Sequence, residues 1–98
     1  MFKINQENDK FVVVPESNIV ASVVNEFRSE MKQIVEQEKP IIVDLSNVEM
    51  IDSMGLGALI ATHNSMQKYN KNLELINISK DLLSLMKTMR LDQHFDIK

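Results

Sequence analysis

The sequence predicts an α/β domain built on a mixed central β-sheet with helices packed mainly on one side. Three observations lead to that expectation. Residues 11–14, 41–45 and 73–78 are short β-branched or alternating apolar runs of strand length. Longer segments between them repeat apolar residues at three- and four-residue spacing, the period of an amphipathic helix. The connections are short, and the order strand, helix, strand, helix, strand, helix implies βαβ units in one sheet.

The first strand is Phe11-Val12-Val13-Val14, with Pro15 as its stop. From residue 19 to 38 a helix is expected, because Val20, Val23, Val24, Phe27, Met31, Ile34 and Val35 recur on one face. Glu26, Arg28, Glu30, Lys32 and Glu36 fall between them and give a solvated face. Pro40 cannot continue the helix. Residues 41–45 then form a nearly all-apolar strand, which predicts burial on both faces. A loop begins at Ser46-Asn47, and a second helix should run from about residue 53 to 69, burying Leu56, Leu59, Ile60, His63 and Met66 or Gln67. Asn70-Lys71-Asn72 ends it and residues 73–78 alternate as a strand. Ser79 caps a third helix to about Met89, and residues 95–97 add a short last strand.

Composition narrows the function. Ninety-eight residues make a single domain spanning 1–98, long enough for one core. With no cysteine, disulfides and thiolate metal sites are excluded. A formal net charge of −3 without a Lys/Arg cluster argues against nucleic acid, and a 5% aromatic content against a base-stacking surface. The first seven residues turn polar too soon for a signal peptide, and no apolar run approaches the roughly 20 residues of a membrane span. A cytoplasmic protein without membrane insertion, monomeric when free, is expected.

Both glycines of the chain stand in Asp52-Ser53-Met54-Gly55-Leu56-Gly57, at the start of the second helix. Each costs about 1 kcal/mol relative to Ala in a helix, so a compensating gain is expected, such as an open helix N-terminus that another surface can approach. Ser53 falls where the helix macrodipole is positive, a place suited to a phosphate. Asp-Ser before a helix is equally a common N-cap pair, and Gly-x-Gly lacks the further glycine and lysine of a nucleotide loop.

The stretch Ile41-Ile42-Val43-Asp44-Leu45-Ser46-Asn47-Val48-Glu49-Met50-Ile51-Asp52-Ser53-Met54-Gly55-Leu56-Gly57 resembles the signature of the anti-sigma-factor antagonist (STAS) family. Downstream, the Ile-Ser helix entry and the run from Leu82 to Leu91 resemble it too. The resemblance implies a STAS-like fold and a partner-switching function. In that family the serine after the aspartate is phosphorylated by a serine kinase-type anti-sigma factor, the dephosphorylated form binds that partner, and a PP2C-type phosphatase resets the cycle. It therefore implies Ser53 as phosphoacceptor, Asp52 as its acidic neighbour, and Met54, Gly55, Leu56 and Gly57 as part of the partner-facing turn. Two features depart from the family. Met54 stands where Ser or Thr is frequent, and Pro15-Glu16-Ser17-Asn18 replaces a Gly-Glu-Leu-Asp-like loop whose acidic residue is linked to partner contact.

Other residues have plainer readings. His63 and His94 lack metal-ligand spacing, so structural histidines and no metal or cofactor are expected. Asp44 and Asp52 flank one loop as solvated or capping groups. Met66, Met86 and Met89 are assigned to the core and Met54 to the surface. No nucleophile–base pair is legible, so an enzyme is not expected. The alternative function is a non-phosphorylated STAS accessory subunit of a membrane transport or other protein complex.

Overall fold

The computed structural model describes residues 2–98. Its elements are β1 (Phe2–Glu7), β2 (Lys10–Pro15), α1 (Ala21–Val35), β3 (Ile41–Asp44), α2 (Ser53–Gln67), β4 (Leu73–Ile76), α3 (Lys80–Thr88) and β5 (Asp96–Ile97). They form a five-stranded sheet in the order β1-β2-β3-β4-β5. β1 is antiparallel to β2, and every later pair is parallel. The sheet is mixed, as expected.

Because β2 to β5 lie side by side in chain order, each right-handed crossover steps in the same direction and leaves its helix on the same face. Burial alternates accordingly. Phe11, Val13, Ile41, Val43, Leu73 and Leu75 join Phe27, Met31, Leu59, Met66 and Met86 of the helices in one core. The opposite sheet face, with Val12, Val14, Ile42, Asp44 and Ile76, stays half-buried. This corrects the expectation that the third-strand run is covered on both faces. An unbroken apolar run reads as doubly covered, yet here only its alternate residues are fully buried.

Strand β1 was not expected. Only Phe2 and Ile4 of its six residues are apolar, and they face the helices while the other residues face solvent. Phe2 meets Phe27 edge-on with ring centroids 5.3 Å apart. The hairpin to β2 turns through Asn8 at φ 56°, a left-handed conformation that Asn tolerates well. Pro15 pairs with Phe2 as the last residue of β2 rather than standing outside it. The ends come earlier than expected: α1 stops at Val35, α2 at Gln67 and β4 at Ile76, and Glu38, Asn70 and Asn77 take positive φ just beyond them. Met89 is 48% exposed rather than buried, because it falls past the end of α3.

Candidate functional site

The N-terminus of α2 is assembled from two loops that are stitched together. The loop between β2 and α1 supplies Asn18 and Ile19, and the loop between β3 and α2 supplies residues 45–52. Asn18 Oδ1 accepts the backbone N–H of both Glu49 and Met50, at 2.8 and 2.9 Å. Ile19 pairs with Ile51 in a parallel bridge, its N–H donating to Met50 O at 3.2 Å and its carbonyl accepting Asp52 N–H at 3.3 Å. Asp44, at the other end of the loop, accepts Asn77 Nδ2 and Ser46 N–H at 3.0 Å each. Partial burial pushes its carboxyl up, but these bonds outweigh that and hold it below the ordinary carboxylate range.

Asp52 is the N-cap. Its backbone is extended, and Oδ1 accepts Gly55 N–H at 2.9 Å. The second carboxylate oxygen accepts Ala21 N–H at 2.9 Å, the first residue of α1, whose own N-cap Val20 has no side-chain acceptor. One carboxylate therefore caps two helices. The Gly55 N–H, and after it that of Ala21, hold the Asp52 carboxyl below its ordinary range. The readings of Asp44 and Asp52 as capping groups thus have their partners, and the open helix end expected from the glycines is already occupied by an anion.

Ser53 is the first residue of α2 and is exposed, with Met54 (50% exposed) next to it and Met50 (53%) three residues before. These two methionines are among the largest exposed apolar side chains of the described residues. Gly55 and Leu56 are buried and lie beneath the turn rather than on its surface, and Gly57 is half-buried. A Cβ on Gly55 would run into the Ile19 carbonyl oxygen and come within 2.8 Å of Ile51 Cγ2. The gain that offsets this glycine is intramolecular: it lets α2 start directly under the Ile19 backbone. At Gly57 a Cβ would meet only Arg28 Nη2, at 3.6 Å, so there the chain has room for one.

Three residues of this region escaped the sequence reading. Asn18 lies in the loop that departs from the family pattern, and nothing in its neighbours marks it as an acceptor for a distant loop. Met50 stands between buried Val48 and Ile51 in a loop with no periodic pattern to mark it as exposed, yet it is 53% exposed. Arg28 sits in an alternating charge pattern that is ordinarily a solvated face, yet it reaches the first turns of α2. It also lines a groove of about 390 Å³ between α1 and α2, together with Lys32 and Lys68.

His63 is buried, and its Nδ1 accepts Leu73 N–H at 3.3 Å. Its ring lies edge-on to Phe95 and His94, with centroids 5.6 and 6.5 Å away. Burial, and then the charge of His94, lower its pKa from the ordinary histidine value. Among the described residues no three His, Cys, Asp or Glu side chains gather as a metal site, and no helix is long and apolar enough to cross a membrane.

Comparison with known proteins adds a family and a fold. A family model described as STAS domain matches residues 2–98. Among solved structures, an anti-sigma factor antagonist from Mycobacterium paratuberculosis superposes with a TM-score of 0.87 at 19% identity, covering 99% of this chain and 83% of that one. The Bacillus cell fate determinant SpoIIAA in its phosphorylated form gives a TM-score of 0.78 at 15% identity, over 100% of this chain and 91% of that one. The murine anion transporter Slc26a9 gives 0.73 at 18% identity, over 95% of this chain and 16% of that one. At these identities the superpositions establish the shared fold.

Proposed function

The chain belongs to the STAS domain family, and from that premise we propose that it is a cytoplasmic anti-sigma-factor antagonist in a partner-switching pathway. It acts by binding rather than by catalysis. The surface around Ser53 docks on a serine kinase-type anti-sigma factor, which transfers the γ-phosphoryl group of ATP to Ser53 Oγ. The new O–P bond forms as the bond to ADP breaks, and the hydroxyl proton passes to a base of the kinase. A PP2C-type phosphatase hydrolyses the ester to inorganic phosphate and restores the binding form.

The observation that carries this reading is an exposed serine at the first position of α2, with exposed Met54 next to it in sequence and exposed Met50 three residues before. Methionine is an adaptable apolar contact, and a neutral hydroxyl on the same exposed turn suits a dry interface. A phosphate there adds a charge of about −1.5 to −2 at neutral pH. Burying it against a surface that had packed on the hydroxyl costs desolvation, and the Asp52 carboxylate adds repulsion. A loss of about 2 to 4 kcal/mol follows, roughly a thirty- to thousand-fold drop in affinity.

The test is affinity for the kinase-type partner at one salt concentration. Ser53→Ala should bind like the parent chain and accept no phosphate, and Ser53→Asp should lose part of the affinity. Equal affinities for all three, or phosphate on another residue, would refute the assignment. The likeness to the Slc26a9 fold favours a second reading, a non-phosphorylated accessory domain of a transport complex. Under that reading the same comparison shows no phosphate on Ser53.

A further inference from the structure

Gly57 has no steric reason to be glycine. A Cβ there would stand 3.6 Å from Arg28 Nη2, an ordinary contact, with no other atom close by. Yet glycine inside a helix is unfavourable relative to alanine. Ser53 lies four residues earlier on the same helix face, at a Cβ separation of about 6 Å. The N-termini of α1 and α2 are joined through Asp52, which accepts Ala21 N–H and Gly55 N–H. Helical side chains lean toward the N-terminus of their own helix, and Arg28 of α1 reaches α2 at Gly57, about one turn from Ser53. The bare Gly57 leaves that lane open.

A phosphate on Ser53 needs such a cation. The Gly55 amide, which would otherwise serve an anion at this helix end, is bonded to Asp52. The Asp52 carboxylate, fixed at the same helix end, opposes a further negative charge. We propose that Arg28 is the internal receptor for a phosphate on Ser53, reaching it across Gly57 in an Arg–phosphate pair. A phosphate oxygen reaches about 4 Å beyond the serine Cβ, and a rotamer change of the exposed arginine closes the remainder. The pair fixes the phosphate against α2, so a partner meets a held group rather than a mobile one. This inference rests on the reading of Ser53 as the phosphoacceptor.

The test installs phosphoserine at position 53 during protein synthesis and follows the phosphate's second ionisation by phosphorus NMR at low salt. The value should lie about half a pK unit or more lower in the parent chain than in Arg28→Gln. Arg28→Lys should keep part of the shift, since it retains the charge and loses the fork. Asp52 and every other carboxylate are common to all three proteins and cancel. A parent-chain value less than about 0.2 unit below that of Arg28→Gln, or above it, overturns the proposal, and a larger lowering supports it. No kinase takes part. The partner-affinity comparison can therefore fail while the ionisation shift stands, and the reverse.

Discussion

Adding one methyl group at Gly55 and one at Gly57 should move stability in opposite directions. Both glycines lie in the first turns of α2, so intrinsic propensity favours alanine by about 1 kcal/mol at each. At Gly55 the new Cβ overlaps the Ile19 carbonyl and stands 2.8 Å from Ile51 Cγ2, so about 0.7 Å must be recovered from that side chain alone. The main obstacle is backbone, which places overpacking in the upper part of its usual range, about 2–3 kcal/mol. Moving Ile19 also weakens its bonds with Met50 and Asp52, worth about 1–2 kcal/mol together. After the propensity gain, Gly55→Ala loses about 2–4 kcal/mol, or roughly 8–30 °C in Tm for a domain of this size. Gly57→Ala meets only an arginine tip at ordinary contact distance and should gain up to about 1 kcal/mol, near 4 °C or more. Thermal and urea unfolding followed by far-UV circular dichroism measures both. A Gly55→Ala protein that melts at or above the parent chain would refute the account of that glycine as a packing requirement.

Stability should fall on mild acidification. The folded pKa of His63 lies below its unfolded value, so the unfolded chain binds the extra proton first. Its contribution is complete above about pH 6.5 and is lost as the pH falls below that, because protonated Nδ1 would oppose the Leu73 N–H it now accepts. His63→Gln should flatten Tm against pH between about 5 and 7, and an unchanged slope would assign the dependence elsewhere. Asn18→Ala orphans the N–H groups of Glu49 and Met50, for a loss of about 1–2 kcal/mol. Faster amide exchange at those two residues, with a lower Tm, is the expected result, and protection equal to the parent chain would contradict it.

The sequence exposes those parts of the fold whose residues share a local pattern. Helix α1 announces itself through periodic apolar residues, and β3 and β4 through compact apolar runs. β1 is hidden because an edge strand on a one-sided sheet needs only alternate apolar residues, here Phe2 and Ile4. The placing of Ser53 at the start of α2 was legible from the Asp-Ser pair and the end of the preceding strand. The two jobs of Asp52 were not, because the second bond goes to Ala21, thirty-one residues away. Gly55 shows the same limit. Its presence signals a close approach, but only the folded chain reveals that the approaching surface is Ile19 of the same molecule.

These long-range contacts bear on how a modification at Ser53 would act. The hydroxyl stands on a turn whose backbone is fixed on both sides: Asn18 holds Glu49 and Met50, Ile19 bridges Ile51, and Asp52 ties α1 to α2. A phosphate does not have to compete for the cap, because the cap is Asp52 and not Ser53. Melting the first turn would mean breaking the Asp52 bonds and lifting Gly55 from beneath Ile19, a cost shared across two loops. A charge added at the surface has a cheaper response available in the exposed side chains of Arg28 and Met54. Under the proposed function the switch therefore works through the electrostatics and desolvation of the interface while the backbone stays in place. Ser53→Ala and Ser53→Asp should then melt with the parent chain even as their partner affinities separate, whereas a large loss of Tm in Ser53→Asp would shift the mechanism to local unfolding.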